Sequence, residues 1–164
     1  MSQRVVIDSL VFAREGRSLQ GELPVSSLTR ILDVLADQAG ELRYRVQGQM
    51  GPRRRPQLLL EVDGRLSLRC QRCLEGIDYP VRVRSVLELI SNEEDLTQEE
   101  IEDDSKDFLP AEKTLDVVAL IEDELILELP TAPRHESCVL PEAGVQSERV
   151  SPFAVLQGLK NRVH

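Results

Sequence analysis

The sequence predicts an α+β fold, an antiparallel β-sheet meander flanked by two or three helices, and three observations predict it. Leu28, Ile31, Leu32 and Leu35 recur at helical spacing. From Glu41 the hydrophobic period changes from about 3.6 to 2 and stays there to about Ile90. A second helical run, Leu115 to about Leu127, follows a stretch too acidic to be core. A chain of 164 residues suffices for one such domain, since at roughly 150 residues about two-thirds of the unfolded surface becomes buried. Aromatic residues make up only 3%, so Leu, Val and Ile must build the core.

Taken in order, the first extended piece is Leu19 to Leu23, stopped by Pro24. Ser26 or Ser27 then caps a helix from about Leu28 to Gln38, and Gly40 ends it. In the meander, Leu42, Tyr44 and Val46 alternate with Arg43, Arg45 and Gln47. Leu66 and Leu68 alternate with Arg65, Ser67 and Arg69, and Val81 and Val83 with Arg82 and Arg84. Turn signals stand at Gly48 to Pro56, at Asp63-Gly64, a hairpin pair, and at Glu75-Gly76. Residues 91–107 hold nine acidic residues and two aliphatic ones, the composition of an acidic flexible loop. Thr114 caps the helix that begins at Leu115, and Pro130 and Pro133 end it. The expected organisation is a single domain over residues 1–138, with the mobile acidic loop inside it. A linker and a C-terminal tail follow over 139–164, where Ser151, Pro152 and the apolar Phe153, Leu156 and Leu159 favour a short helix.

Charge is divided along the chain. Up to Leu87, 14 arginines stand against 10 acidic residues; from Glu88 on, six basic residues stand against 19 acidic ones, a balance of +4 against −13 within the net −9. Such asymmetry points to a basic working surface with an acidic appendage. The N-terminal residues lack a signal-peptide pattern, and no apolar run approaches the roughly 20 residues that cross a bilayer. The expectation is a cytoplasmic protein with no membrane partner. Enzymatic readings find no support: there is no glycine-rich phosphate loop, two histidines leave little for acid–base chemistry, and no small-molecule substrate is implied.

Three cysteines in a reducing compartment leave metal binding, catalysis or burial as their uses. Cys70-x-x-Cys73 is a weak signal alone, but His135-x-x-Cys138 offers a second pair at the same spacing. Together they suit a tetrahedral Cys3His structural zinc. The competing readings are plain burial, because Cys70 shares the phase of Leu66 and Leu68, and thiol redox chemistry. The last is weakest, since a redox pair opens a helix that lowers its thiol pKa, and this pair lies between strands.

The alternation also sets Arg43, Arg45, Arg65, Arg69, Arg82 and Arg84 on the side opposite Leu, Tyr and Val, with Arg53, Arg54 and Arg55 as a basic loop. All nine are arginine, the residue suited to bidentate phosphate contact, which makes them RNA-binding candidates. The bland alternative is a solvated face whose charges meet Glu and Asp from the acidic half. Few aromatics lie there, so RNA would be held by backbone and shape rather than by base stacking.

The blocks RCQRCLEG, LDVVALIEDELILELPTAPRH with a Cys soon after, and SPFAVLQGLK, in that order, resemble the bacterial YceD family, the large ribosomal RNA subunit accumulation proteins. The resemblance spans about Leu23 to Lys160. It implies a cytosolic, non-enzymatic factor for synthesis, processing or stability of large-subunit (23S) ribosomal RNA, with that RNA or a pre-ribosomal particle as partner. Some relatives carry further C-terminal Cys pairs, where this chain has His135 and Cys138. The alternative function is an adaptor that reaches a ribosomal or assembly protein through the acidic loop or through Phe153, Leu156 and Leu159.

Overall fold

The computed structural model describes residues 4–140 and Phe153, and the fold is α+β. Its strands are β1 (Val6–Ile7), β2 (Ser18–Pro24), β3 (Glu41–Met50), β4 (Pro56–Arg69), β5 (Gly76–Ile90), β6 (Asp107–Pro110) and β7 (Leu115–Asp116); its helices are α1 (Ser9–Arg14), α2 (Gln98–Ile101) and α3 (Val117–Glu128). Strands β2 to β6 form one sheet in chain order, antiparallel except for the parallel pair β5–β6, and β1 pairs with β7 in a separate ladder.

The period-two pattern dictates the sheet. Along β4, Leu58, Leu60, Val62, Leu66 and Leu68 all turn inward and are at most 1% exposed. Leu42, Tyr44 and Val46 of β3 and Val81, Val83, Leu87 and Leu89 of β5 join them. Helix α1 packs on β3 and β4, and α3 on β5. Helices α1 and α3 lie on one sheet face, and the other carries the arginines, with its Gln57 and Ile90 end buried as well.

Three expectations are corrected. Asp63-Gly64 is not a hairpin turn but the middle of β4, with Asp63 paired to both Arg43 and Arg82. The inward phase runs unbroken from Leu58 through Gly64 to Leu68, so the strand goes straight on. Glycine is needed there because a Cβ would sit 2.4 Å from Leu42 Cδ2. The expected turn within Gly48 to Pro56 is the β3–β4 connection, at Gly51 to Arg55, closed by the Gly51 N–H donating to the Arg55 carbonyl at 2.8 Å.

Residues 28–38 are not a helix: a 3-10 turn at Val25–Ser27 precedes them, and within them only Leu32–Val34 forms a 3-10 turn, followed by extended chain. The Ser27 hydroxyl donates to the Pro24 carbonyl at 2.7 Å rather than capping, and the Arg30 N–H donates to Glu122 Oε1 of α3 at 3.0 Å. Further on, the Ala36 N–H donates to the Ser67 carbonyl at 2.7 Å, and Leu35 bridges Leu68. Tertiary partners thus replace the helical ones, while Leu28, Ile31 and Leu35 still reach the core at 2% exposure or less. The cap of α3 is Asp116 rather than Thr114, its carboxylate accepting from Val118 N and Ala119 N, because Leu115 and Asp116 are first committed to β1.

Inside the acidic segment, Thr97 and Glu100 form a capping box around α2, and Glu100 is 6% exposed. No described helix is long and apolar enough to cross a membrane. The expected linker and C-terminal helix lie outside the described residues except at Val139, Leu140 and Phe153, all exposed.

Helix α1 rests directly on Gly48, where a Cβ would lie 2.3 Å from the Phe12 carbonyl oxygen. Gly48→Ala must push backbone against backbone, an overpacking cost of about 1–3 kcal/mol. We expect its melting temperature, measured by circular dichroism, to fall by roughly 3–10 °C, with Gln47→Ala on the exposed side of β3 as the neutral comparison.

Candidate metal centre and charged sheet face

Cys70 is the next inward position after Leu68 and is fully buried. The chain then turns tightly. The Leu74 N–H donates to the Cys70 carbonyl at 3.0 Å and the Cys70 N–H to that of Glu75 at 2.8 Å, while Leu74 takes a left-handed φ of 67°. This turn brings Cys73 round to the same side. After α3, Pro130 and Pro133 prevent helix from continuing, and the chain returns over β4's end, where the Gln71 N–H donates to the Pro133 carbonyl at 2.8 Å. His135 and Cys138 are thereby delivered to Cys70 and Cys73.

The four donor atoms all lie within 4.8 Å of one another. A zinc tetrahedron with bonds of about 2.3 Å to sulfur has S···S edges of roughly 3.8 Å, and Cys70 Sγ and Cys138 Sγ are 3.8 Å apart, far beyond a disulfide. His135 Nε2 is 3.1 Å from the Gly76 carbonyl oxygen, which can only accept, so Nε2 carries the proton and the Nδ1 lone pair faces Cys73 Sγ at 3.3 Å. That lone pair can accept the Cys73 thiol proton or bind a cation in its place. Among the thiols, burial raises the Cys70 pKa, but the amides of Cys73, His135 and Arg72 directed at its sulfur outweigh that and bring it to about 5. Burial, and then hydrogen bonding and charge interaction with Cys70 and Cys73, push Cys138 up. A divalent ion at this point would offset the charge of the thiolates it gathers. The set can hold a metal and suits a structural zinc; four protein ligands leave no open position for activating water.

The strand register places Arg43, Arg45, Arg65, Arg69, Arg82 and Arg84 on one face, but not alone. Asp63 stands between Arg43 and Arg82, and Glu61 between Arg45 and Arg84. Arg84 Nη2 reaches both Asp63 oxygens at 2.9 Å. Arg65 grips Asp78, with Nη2–Oδ2 at 2.6 Å, and this hydrogen bond holds the Asp78 carboxyl below the usual range. Arg69 Nη2 donates to the Leu35 carbonyl at 3.3 Å. Arg43, Arg45, Arg54 and Arg82 are exposed and form no ion pair among the described residues. Arg53 and Arg55 meet Glu100 of the acidic segment, and Arg55 also meets Glu88 of β5. The acidic partners Glu61, Asp63 and Asp78 were missed in the sequence although they share the arginines' phase. Of the tail candidates, Phe153 is 71% exposed, and Leu156 and Leu159 lie outside the described residues.

Comparison with known proteins adds a name to this geometry. The profile of the family described as Large ribosomal RNA subunit accumulation protein YceD matches residues 58–160, more than half of the chain. The chain belongs to the YceD family. It is 28% identical over 148 residues to the Large ribosomal RNA subunit accumulation protein YceD of Haemophilus influenzae, covering 80% of this chain and 79% of that one. No solved structure matches. The YceD match encloses all four candidate ligands and begins after Arg43, Arg45 and Arg53 to Arg55.

A zinc clip would tie the 133–138 segment to the β4–β5 turn and would add its binding free energy to folding. Untagged protein purified under reducing conditions is expected to carry about one zinc per chain by mass spectrometry. Cys73→Ser should lose it and melt roughly 10 °C lower, the size of shift that about 4 kcal/mol of ligand linkage produces. Metal-free wild type as stable as Cys73→Ser would exclude the clip.

Proposed function

We propose that this chain is a cytoplasmic, non-enzymatic factor that supports accumulation of large-subunit (23S) ribosomal RNA by touching that RNA, or a pre-ribosomal particle, through its sheet face. Membership of the YceD family carries the reading. The face adds a physical route. Arg43, Arg45 and Arg82 are exposed and form no ion pair among the described residues, while Glu61 and Asp63 fix the spacing between them across three strands. Interleaved carboxylates repel phosphate, so an RNA backbone must run where the guanidinium groups are and avoid the acids. That selects shape rather than base sequence. The metal centre, on this reading, holds the sheet's far end rigid and does no chemistry.

Reversing Arg43, Arg45 and Arg82 to Glu together should weaken binding to a large-subunit ribosomal RNA fragment by at least tenfold. It should also lower the slope of log K against log salt by about 2 to 3, one unit or slightly less for each lost phosphate contact. All three side chains are exposed, so melting temperature should hold. Unchanged affinity and slope would show that the face is not the site.

A further inference from the structure

The basic loop at the start of β4 is occupied by the chain's own acid. Arg53 Nη1 and Arg55 Nη1 converge on one oxygen of Glu100, at 3.3 and 2.9 Å. The other oxygen accepts from Thr97 N at 3.0 Å and Thr97 Oγ1 at 3.2 Å. Arg55 is also bound to Glu88 at 3.2 Å, and its guanidinium lies 5.6 Å from the centre of the Phe108 ring. Around this point is a cleft of about 280 Å³ lined by Pro52, Arg53, Arg55, Glu88, Glu100 and Lys106. Three cations thus face a small opening with two carboxylates, Glu88 from the sheet and Glu100 inserted from the acidic segment, while Lys106 also pairs with Asp103 at 3.4 Å. The loop that presents Arg53 and Arg55 is strained: Arg53 and Arg54 are consecutive non-glycine residues at φ 59° and 57°, a conformation that persists where a site demands it.

The insertion is built to come out. Helix α2 has four residues, far short of what stands alone in water, and Glu100 is its only buried side chain. Ile101 beside it is 59% exposed. Nine acidic residues within 91–107 repel one another and work against keeping the segment down. The Arg55 guanidinium fork offers a phosphate the same contacts as the carboxylate, with more oxygens to fill them.

We propose that residues 51–55 form a phosphate-binding site for RNA, and that Glu100 covers it as a resident competitor that RNA must displace. This rests on the reading that the protein contacts ribosomal RNA, and adds to it a second contact and the segment that regulates it. Specific RNA would then displace the acidic segment, and weak, incidental polyanions would not.

The test uses the full-length chain and two probes, a 20-nucleotide homopolymeric RNA and a large-subunit ribosomal RNA fragment. Glu100→Gln should bind both more tightly than wild type by about fivefold to tenfold, a coupling of ordinary allosteric size. Glu99→Gln changes net charge equally but touches no arginine, and should stay close to wild type. Adding Arg53→Glu and Arg55→Glu to Glu100→Gln should cancel the gain. In wild type, the ribosomal fragment should speed hydrogen exchange of amides 98–101, a readout that stands even where Glu100→Gln destabilises the fold. Equal affinities for Glu100→Gln and Glu99→Gln, or no change in exchange on binding, overturn the covering while leaving the ribosomal reading intact. No binding of either probe to any variant overturns both. A gain shared equally by both probes, with no preference for the ribosomal fragment in any variant, keeps the covered site and removes the ribosomal partner.

Discussion

Everything described depends on the register of β4. Its 14 residues alternate without a bulge, so a shift of one position would turn Leu58, Leu60, Val62, Leu66 and Leu68 outward and the charged row inward. The core holds that phase. Because the phase is held, the outward face is fixed too, and with it the pairing of Asp63 with Arg43 and Arg82. Cys70 is simply the next inward step after Leu68, so a ligand position is set by the same constraint that packs the core. The two ends of one strand carry the two places where distant chain is tied down, the acidic segment at Arg55 and the 133–138 segment at Cys70.

The split of charge along the chain does not survive folding as a split in space. Arg65 and Arg84 of the sheet meet carboxylates from neighbouring strands, and the acidic half is tied back at the buried Glu100 and Glu122. What remains is a surface of interleaved signs on a chain of net charge −9. Its long-range field is repulsive to nucleic acid. Any RNA it holds is held by fit at short range, which suits discrimination better than capture.

The sheet was legible because period-two alternation over 50 residues is a redundant signal, and the Cys/His set was legible because spacing and strand phase agreed. The helix expected at 28–38 failed because an apolar stripe reports only that Leu28, Ile31 and Leu35 face a core, not how the backbone satisfies its own donors; Glu122, more than 90 residues away, supplies one acceptor. Asp63-Gly64 failed because its glycine serves Leu42 on the next strand. Glu100 was half-visible: Thr97-x-x-Glu100 is a capping-box pattern, but among nine acids nothing local marks the one that meets Arg55. The positions missed are those decided by tertiary partners, and the positions found are those decided by period.

The ligand pairs also impose an order in time. Cys73 and His135 are 62 residues apart, and Cys70 and Cys138 are 68, so the loop between them contains β5, the acidic segment, β6 and α3. During synthesis the first pair is made long before the second, and a metal gathered early by Cys70 and Cys73 alone would have only half its ligands. Closure waits until α3 has docked and Pro133 has reached Gln71. A filled centre would therefore act as a receipt for completed folding, signed last, and a chain arrested before residue 135 could never acquire it.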